Sequence, residues 1–394
     1  MRPLPVTHFT AASALGVGRD AHAQALRDGR SGLVPCRFET VELPTWVGEV
    51  ASLPPLPDAL ARFDSRNHRL AELALQADGF ARDVAACIER RGAARIGIVL
   101  GTSTSGILST EQAYRARDPR TGALPAAFDY ATTHNTYALA AYVRERLALA
   151  GPALVISTAC SSSAKVFATA ARWIATGLVD AAVVGGVDSL CLTTLHGFHS
   201  LQLTAPGPCR PFDARRDGIS IGEAAAFALL EADAPPDERV PRLLGYGESS
   251  DAHHMSAPHP QGLGAEQAMR AALARAGLAP EAVDYVNLHG TGTPSNDAAE
   301  SLAVARVVGT GTPCSSTKGA TGHTLGAAGA LEAAICLLAL ERGFIPGGPL
   351  EQQDAALAIA YAPRTRAADL RVVLSNSFGF GGSNCALVFG APPP

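Results

Sequence analysis

No apolar run in this sequence approaches the ~18–20 residues that a helix needs to cross a bilayer, so no membrane-spanning segment is expected. Its first residues, MRPLPVTHFTAAS, hold no continuous apolar stretch of the kind that forms a secretory leader. Charge is scarce too: 17% of residues are Asp, Glu, Lys or Arg, and the net charge is −4. A general nucleic-acid binder carries a basic excess, so no nucleic-acid partner is expected. The cysteines, at 36, 87, 160, 191, 209, 314, 336 and 385, form no C-x-x-C pair. Scattered thiols suit a reducing cytoplasm better than a disulfide framework or a structural zinc site. Neither G-x-G-x-x-G nor G-x-x-x-x-G-K-[ST] occurs, which removes the common nucleotide loops. GTSTSG (101–106) comes near the G-x-S-x-G of serine hydrolases but fails at Ser105, and that reading is rejected.

What is there is a chain of 394 residues, 47% hydrophobic, enough for two domains or one duplicated unit. Residues 1–60, with prolines at 3, 5, 44, 54, 55 and 57, read as short strands and loops. The segment 61–75, with Arg62, Arg66 and Arg69, reads as a solvated helix face. Further on, apolar runs such as RIGIVLG, AAVVGGV and AAAFALL alternate with helical stretches, the last of them AAGALEAAICLLALERG. Such alternation predicts an α/β fold with mostly parallel mixed sheets and helices on both sides. The turn residues PPDE (235–238) mark a division into halves 1–239 and 240–394 that share this alternation.

The chain is organised around PALVISTACSSSAKVFATAARWIAT (152–176). A short apolar run, read as a buried strand, meets small residues and then an alanine-rich helix whose polar stripe is only Lys165, Thr169, Arg172 and Thr176. Cys160 thus stands at the amino end of a core helix, where unpaired N–H groups favour an anion and ease ionisation of a thiol. A buried cysteine is more often a small hydrophobe. Two motifs in the second half change that balance: NLHGTGTPSND around His289, and STKGATGHTLGAAGALEA around His323. Both follow a strand or precede a helix, where open α/β sheets place ligands.

Together, TACSSS, HGTGTPSND, KGATGHTLGAAGALE, NSFGFGGSN and PFDARRDGISIGEAA resemble the β-ketoacyl-(acyl-carrier-protein) synthases of the Cys-His-His elongating type, in that family's order. The resemblance implies a thiolase-like fold of duplicated α/β/α/β/α layers and a decarboxylative Claisen condensation in fatty-acid or specialised polyene/polyketide synthesis. It assigns Cys160 as nucleophile, and His289 and His323 to the malonyl thioester carbonyl. Lys318 and Glu332 become a charged pair ordering the histidines. Thr291 and Thr293 would bind the pantetheine arm, with Asp297 a structural acid beside them. The amides of Cys160 and Phe380 would form the oxyanion hole, Phe380 also serving as gate. Phe378, Ile107 and Phe198 would surround the acyl chain.

No metal is expected; His253, His254 and His259 fall in or beside a loop that the resemblance places near the site. No cofactor of the enzyme's own is expected, because substrates ride on the phosphopantetheine of acyl carrier protein. Family members are dimers, so a homodimer, or a heterodimer with a chain-length-factor-like subunit, is implied. Arg62, Arg66 and Arg69 are candidate docking groups for an acidic carrier protein. Two alternatives remain: a thiolase-like coenzyme A enzyme, which lacks the HGTGT and KGATGHT pair, and a non-catalytic chain-length subunit, which replaces the nucleophile that Cys160 retains.

Overall fold

The same strand pattern occurs twice in the computed structural model, which describes residues 1–234 and 239–392. In the first half, β1 (Leu4–Ser13), β2 (Ile96–Gly101), β3 (Ala153–Ile156), β4 (Ala181–Asp188) and β5 (Ala224–Glu231) lie in the order β3-β2-β4-β5-β1. In the second, β6 (Arg242–Ser250), β7 (Tyr285–Asn287), β8 (Pro313–Ser315), β9 (Val372–Gly379) and β10 (Ser383–Gly390) lie in the order β8-β7-β9-β10-β6. Directions repeat as well. The first three strands of each order are parallel, and the steps to the last two are antiparallel. The halves join where Leu4 and Pro5 of β1 pair with Leu243 and Arg242 of β6.

The helices that cover these strands are α1 (Arg66–Gln76), α2 (Phe80–Arg91), α3 (Ala138–Arg146), α4 (Ser162–Ala175), α5 (Leu263–Ala276), α6 (Pro294–Val308) and α7 (Ala328–Arg342). Leu70, Phe80 and Leu139 of α1–α3 pack on Ile98, Val183 and Phe227, the outer face of the first half. Met269 and Val304 of α5 and α6 do the same against Val286, Leu374 and Val388 of the second. Between the two inner faces lie α4 and α7, with Phe167 and Ile335 among side chains from both sheets. The layers are therefore α/β/α/β/α.

The central layer is thin because its residues are small. A Cβ on Gly329 would stand 2.5 Å from the Ala164 nitrogen, so only glycine lets α7 approach α4 this closely. The Ala330 N–H donates to Ser163 Oγ at 2.9 Å across the same contact. Every residue from Ala328 to Leu340 is buried. A helix apolar on all sides can exist only in such a position.

Three expectations need correction. The amino-terminal residues do not form only short strands and loops, since β1 is ten residues long and lies mid-sheet. Its proline, Pro5, falls near the strand's start at the joint with β6, where a missing donor is tolerated. Strand β3 is not buried but terminal in the sheet, with Leu154 39% exposed. The arginines of 61–75 are not a free basic face: Arg66 pairs with the buried Glu223, Arg62 with Glu145 and Arg69 with Asp64. The PPDE turn lies outside the described residues.

Replacing Gly329 with Ala sets a helix-propensity gain of about 1 kcal/mol against an overpacking cost of roughly 1–3 kcal/mol. Gly329→Ala is expected to lower the thermal midpoint in calorimetry, whereas Gly311→Ala, where an added Cβ meets nothing within 4 Å, should leave it unchanged.

Candidate active site

Beyond β3 the chain turns sharply through Ala159, a non-glycine residue at φ 51°. Serine side chains hold the turn: Ser162 Oγ accepts from the Thr158 N–H at 2.8 Å and donates to the Ala159 carbonyl at 2.5 Å. Cys160 sits on this corner just ahead of α4, 7% exposed. The second half supplies its neighbour. His323 is fixed to the first half by its own backbone, its N–H donating to Ser220 O at 2.7 Å and its carbonyl accepting from Gly222 N at 2.9 Å. Its Nε2 then lies 3.1 Å from Cys160 Sγ.

His289 follows β7. Its N–H and that of Gly290 donate to the two oxygens of buried Glu300, at 2.8 and 2.7 Å. Lys318 donates to the His289 carbonyl at 2.5 Å, faces Nδ1 at 3.4 Å and pairs with Glu332. The two imidazole centroids are 5.3 Å apart, and the ligating atoms of Cys160, His289 and His323 all fall within 4.8 Å of one another.

The hydrogen bonds assign the tautomers. Nδ1 of His323 accepts from the Leu325 N–H at 3.2 Å, and Nδ1 of His289 faces an ammonium that can only donate. In the neutral rings the proton is therefore on Nε2 in both, pointing into the site. A metal ion would need those Nε2 lone pairs free, so the donors behind the rings disfavour one. Burial, with Lys318 adding to it, pushes both imidazoles well below their ordinary range, and they are neutral at pH 7.

Burial also pushes the Cys160 thiol up to about 11, while Lys318 and the Phe380 amide pull it back. This corrects the expectation of an easily ionised thiol: the helix end is there, but desolvation outweighs it. Glu332 is raised to about 7 by burial, against Lys318.

A pocket opens over these groups. Thr291, Thr293, Phe378, Phe380 and Phe198 line it with the cysteine and histidines. Thr291 and Thr293 share a hydrogen bond of 2.9 Å, and Phe198 packs on Phe380 at 5.9 Å between centroids. Asp297 is buried below, accepting from the Phe212 and Gly292 amides at 2.8 and 3.2 Å. Ile107 is not in the lining; it belongs to a small apolar cluster that also takes in Phe198. The rings of His253 and His259 are 5.2 Å apart, yet among the described residues only Cys160, His289 and His323 cluster as metal ligands would.

Residues 1–235 match the β-ketoacyl synthase N-terminal domain and 241–349 its C-terminal domain. The chain belongs to the β-ketoacyl synthase family. It is 34% identical to nodulation protein E of Rhizobium meliloti (strain 1021), over 95% of this chain and 96% of that one. It is 32% identical to 3-oxoacyl-[acyl-carrier-protein] synthase 2 of Coxiella burnetii, over 98% of each. Among solved structures, a chain of the ketosynthase ApeO in complex with its chain length factor ApeC from Xenorhabdus doucetiae superposes with a TM-score of 0.91, at 39% identity and covering 99% of this chain and 98% of that chain. Members of this family are acyltransferases that form carbon–carbon bonds.

Two acids of this ketosynthase escaped the sequence reading. Glu300 orients the His289 turn and also accepts from Asn376 Nδ2 at 3.1 Å, and Asp188 lies behind Ser103 and Gly326. The signals available were an acid in the first turns of a helix after HGTGT, and an acid closing the all-apolar strand β4.

A thiol held near 11 is mostly protonated across neutral pH. Alkylation of Cys160 by iodoacetamide should therefore accelerate roughly tenfold per pH unit from 7 to 9 without levelling; a plateau below pH 8, read by peptide mass mapping, would contradict the assignment.

Proposed function

We propose that this chain is an elongating β-ketoacyl-(acyl-carrier-protein) synthase whose nucleophile is Cys160, with a first half (1–239) that supplies the cysteine and a second (240–394) that supplies both histidines. The observation that carries this reading is the 3.1 Å approach of His323 Nε2 to Cys160 Sγ inside a pocket shared with His289.

Cys160 sulfur attacks the thioester carbonyl of an acyl carrier protein, the sulfur–carbon bond forms, and the pantetheine thiol leaves with the proton. The tetrahedral oxyanion is met by the N–H groups of Cys160 and Phe380. Gly379 makes this convergence possible, since a Cβ there would stand 3.2 Å from the Cys160 nitrogen. A malonyl thioester then enters along Thr291 and Thr293. Its carboxylate carbon–carbon bond breaks, carbon dioxide leaves, and the electron pair becomes an enolate. Two Nε2–H donors aimed at that oxygen stabilise it as it forms. The enolate carbon attacks the acyl–Cys160 carbonyl, and the sulfur departs as thiolate beside His323.

Lys318 holds His289 in orientation, and Glu332 pairs with Lys318. Phe198 packs on Phe380 in the pocket lining and belongs to the apolar cluster that includes Ile107, so movement of this aromatic pair would admit the acyl chain. Substrates arrive on the phosphopantetheine of carrier protein, and the steps need no cofactor of the enzyme's own. The unpaired edge of β3 supports a dimer, and the ApeO–ApeC complex supports a chain-length-factor-like subunit as its partner. No described helix is long and apolar enough to span a membrane, and the thiols are unpaired, which supports a cytoplasmic setting.

Intact-mass analysis after incubation with acyl carrier proteins of different chains tests the reading. The wild type should gain an acyl mass and Cys160→Ala none; an acyl mass on that variant would overturn the assignment. Cys160→Gln should still decarboxylate malonyl carrier protein yet form no condensation product.

A further inference from the structure

The GTSTSG loop, rejected as a hydrolase elbow, has another use. Asp188, the last residue of β4, is wholly buried and its carboxylate is wrapped by that loop. Thr102 Oγ1 donates to it at 2.7 Å, the Ser103 amide and hydroxyl at 2.8 and 2.5 Å, and the Thr104 amide and hydroxyl at 2.8 Å each. One more donor comes from the other half of the molecule: the Gly326 N–H, at 2.5 Å. All of these donors are neutral.

Gly326 follows directly on the residue that sets the His323 ring. Leu325 donates its N–H to His323 Nδ1, and it does so from φ 52°, a left-handed conformation that a leucine adopts only when its surroundings impose it. The imposition is visible at the next amide. Asp188 and Ser103 Oγ both accept from Gly326, at 2.5 and 3.0 Å, and a Cβ on Gly326 would stand 2.7 Å from the Asp188 oxygen. Release of that amide lets Leu325 relax, and the Nδ1 acceptor of His323 loses its donor.

We propose that Asp188 is a positioning residue: by holding the Gly326 amide it fixes the strained turn whose Leu325 N–H keeps His323 in the Nε2–H tautomer facing Cys160. The proposal rests on the reading above that His323 works beside Cys160. It extends that reading from the ring to the group in the opposite half that dictates which nitrogen carries the proton.

Asp188→Asn keeps the shape but replaces one acceptor oxygen with a donor that faces N–H and O–H groups. The enzyme labelled with ¹⁵N-histidine, its His323 signals assigned by their loss in His323→Ala, reads the tautomer directly. Malonyl carrier protein decarboxylation is measured alongside. Wild type should show His323 protonated at Nε2 alone. Asp188→Asn should show an Nδ1–H population and a kcat about 10–100-fold lower, with KM within threefold, as expected for a misplaced group. An unchanged tautomer overturns the proposal, whether the rate falls or not. If Asp188→Asn does not fold, Ser103→Ala, which removes one donor to Asp188 and one acceptor for Gly326, is put through the same measurements, and an unchanged tautomer there overturns it equally. Failure of the underlying reading looks different: His323→Ala would then decarboxylate as fast as wild type.

Discussion

Everything chemical in this molecule depends on the contact between two interior helices, α4 and α7, which meet at Gly329 and Ala164 with no room for a side chain on the glycine. One helix begins at the nucleophile's corner. The other carries Glu332 and begins just after the segment with His323 and Lys318. Separating them by the width of a methyl group would move sulfur and imidazole apart on the scale of a hydrogen bond. The small residues of this layer are therefore a geometric requirement of the reaction, and bulkier residues that would bury more apolar area are shut out by it.

Around that contact, the site is built mainly from neutral donors and buried acids. Lys318 is the one cation touching the catalytic cluster among the described residues, and it is bound by Glu332 and the His289 carbonyl. The histidines donate rather than titrate, because each Nδ1 faces a donor from behind. Burial keeps both rings neutral and keeps the sulfur protonated at rest, so the same desolvation that makes donors effective also makes the thiol quiet until substrate arrives.

The legible part of this was local. Cys160, His289, His323 and Lys318 announce themselves because each lies in a short run of glycines, threonines and serines at the end of an apolar segment. The duplication showed as alternating strands and helices, although nothing in it revealed the two antiparallel steps that close each half. What stayed hidden was relational. Asp188 reads as an ordinary strand end until folding brings Gly326 to it from 138 residues away. Arg66 reads as solvated until Glu223 meets it. The thiol's reluctance to ionise was missed because a helix terminus is visible in a sequence and the depth of its burial is not.

The exposed end of the sheet carries a consequence for how the protein exists in solution. Strand β3 offers a row of unsatisfied amides and carbonyls beside a half-exposed Leu154, four residues upstream of the catalytic turn. A chain left alone is thus adhesive at the segment that leads into its nucleophile. A second strand added to that ribbon would lengthen the sheet at the same segment that leads into the turn at Ala159, so assembly and catalysis share one stretch of backbone.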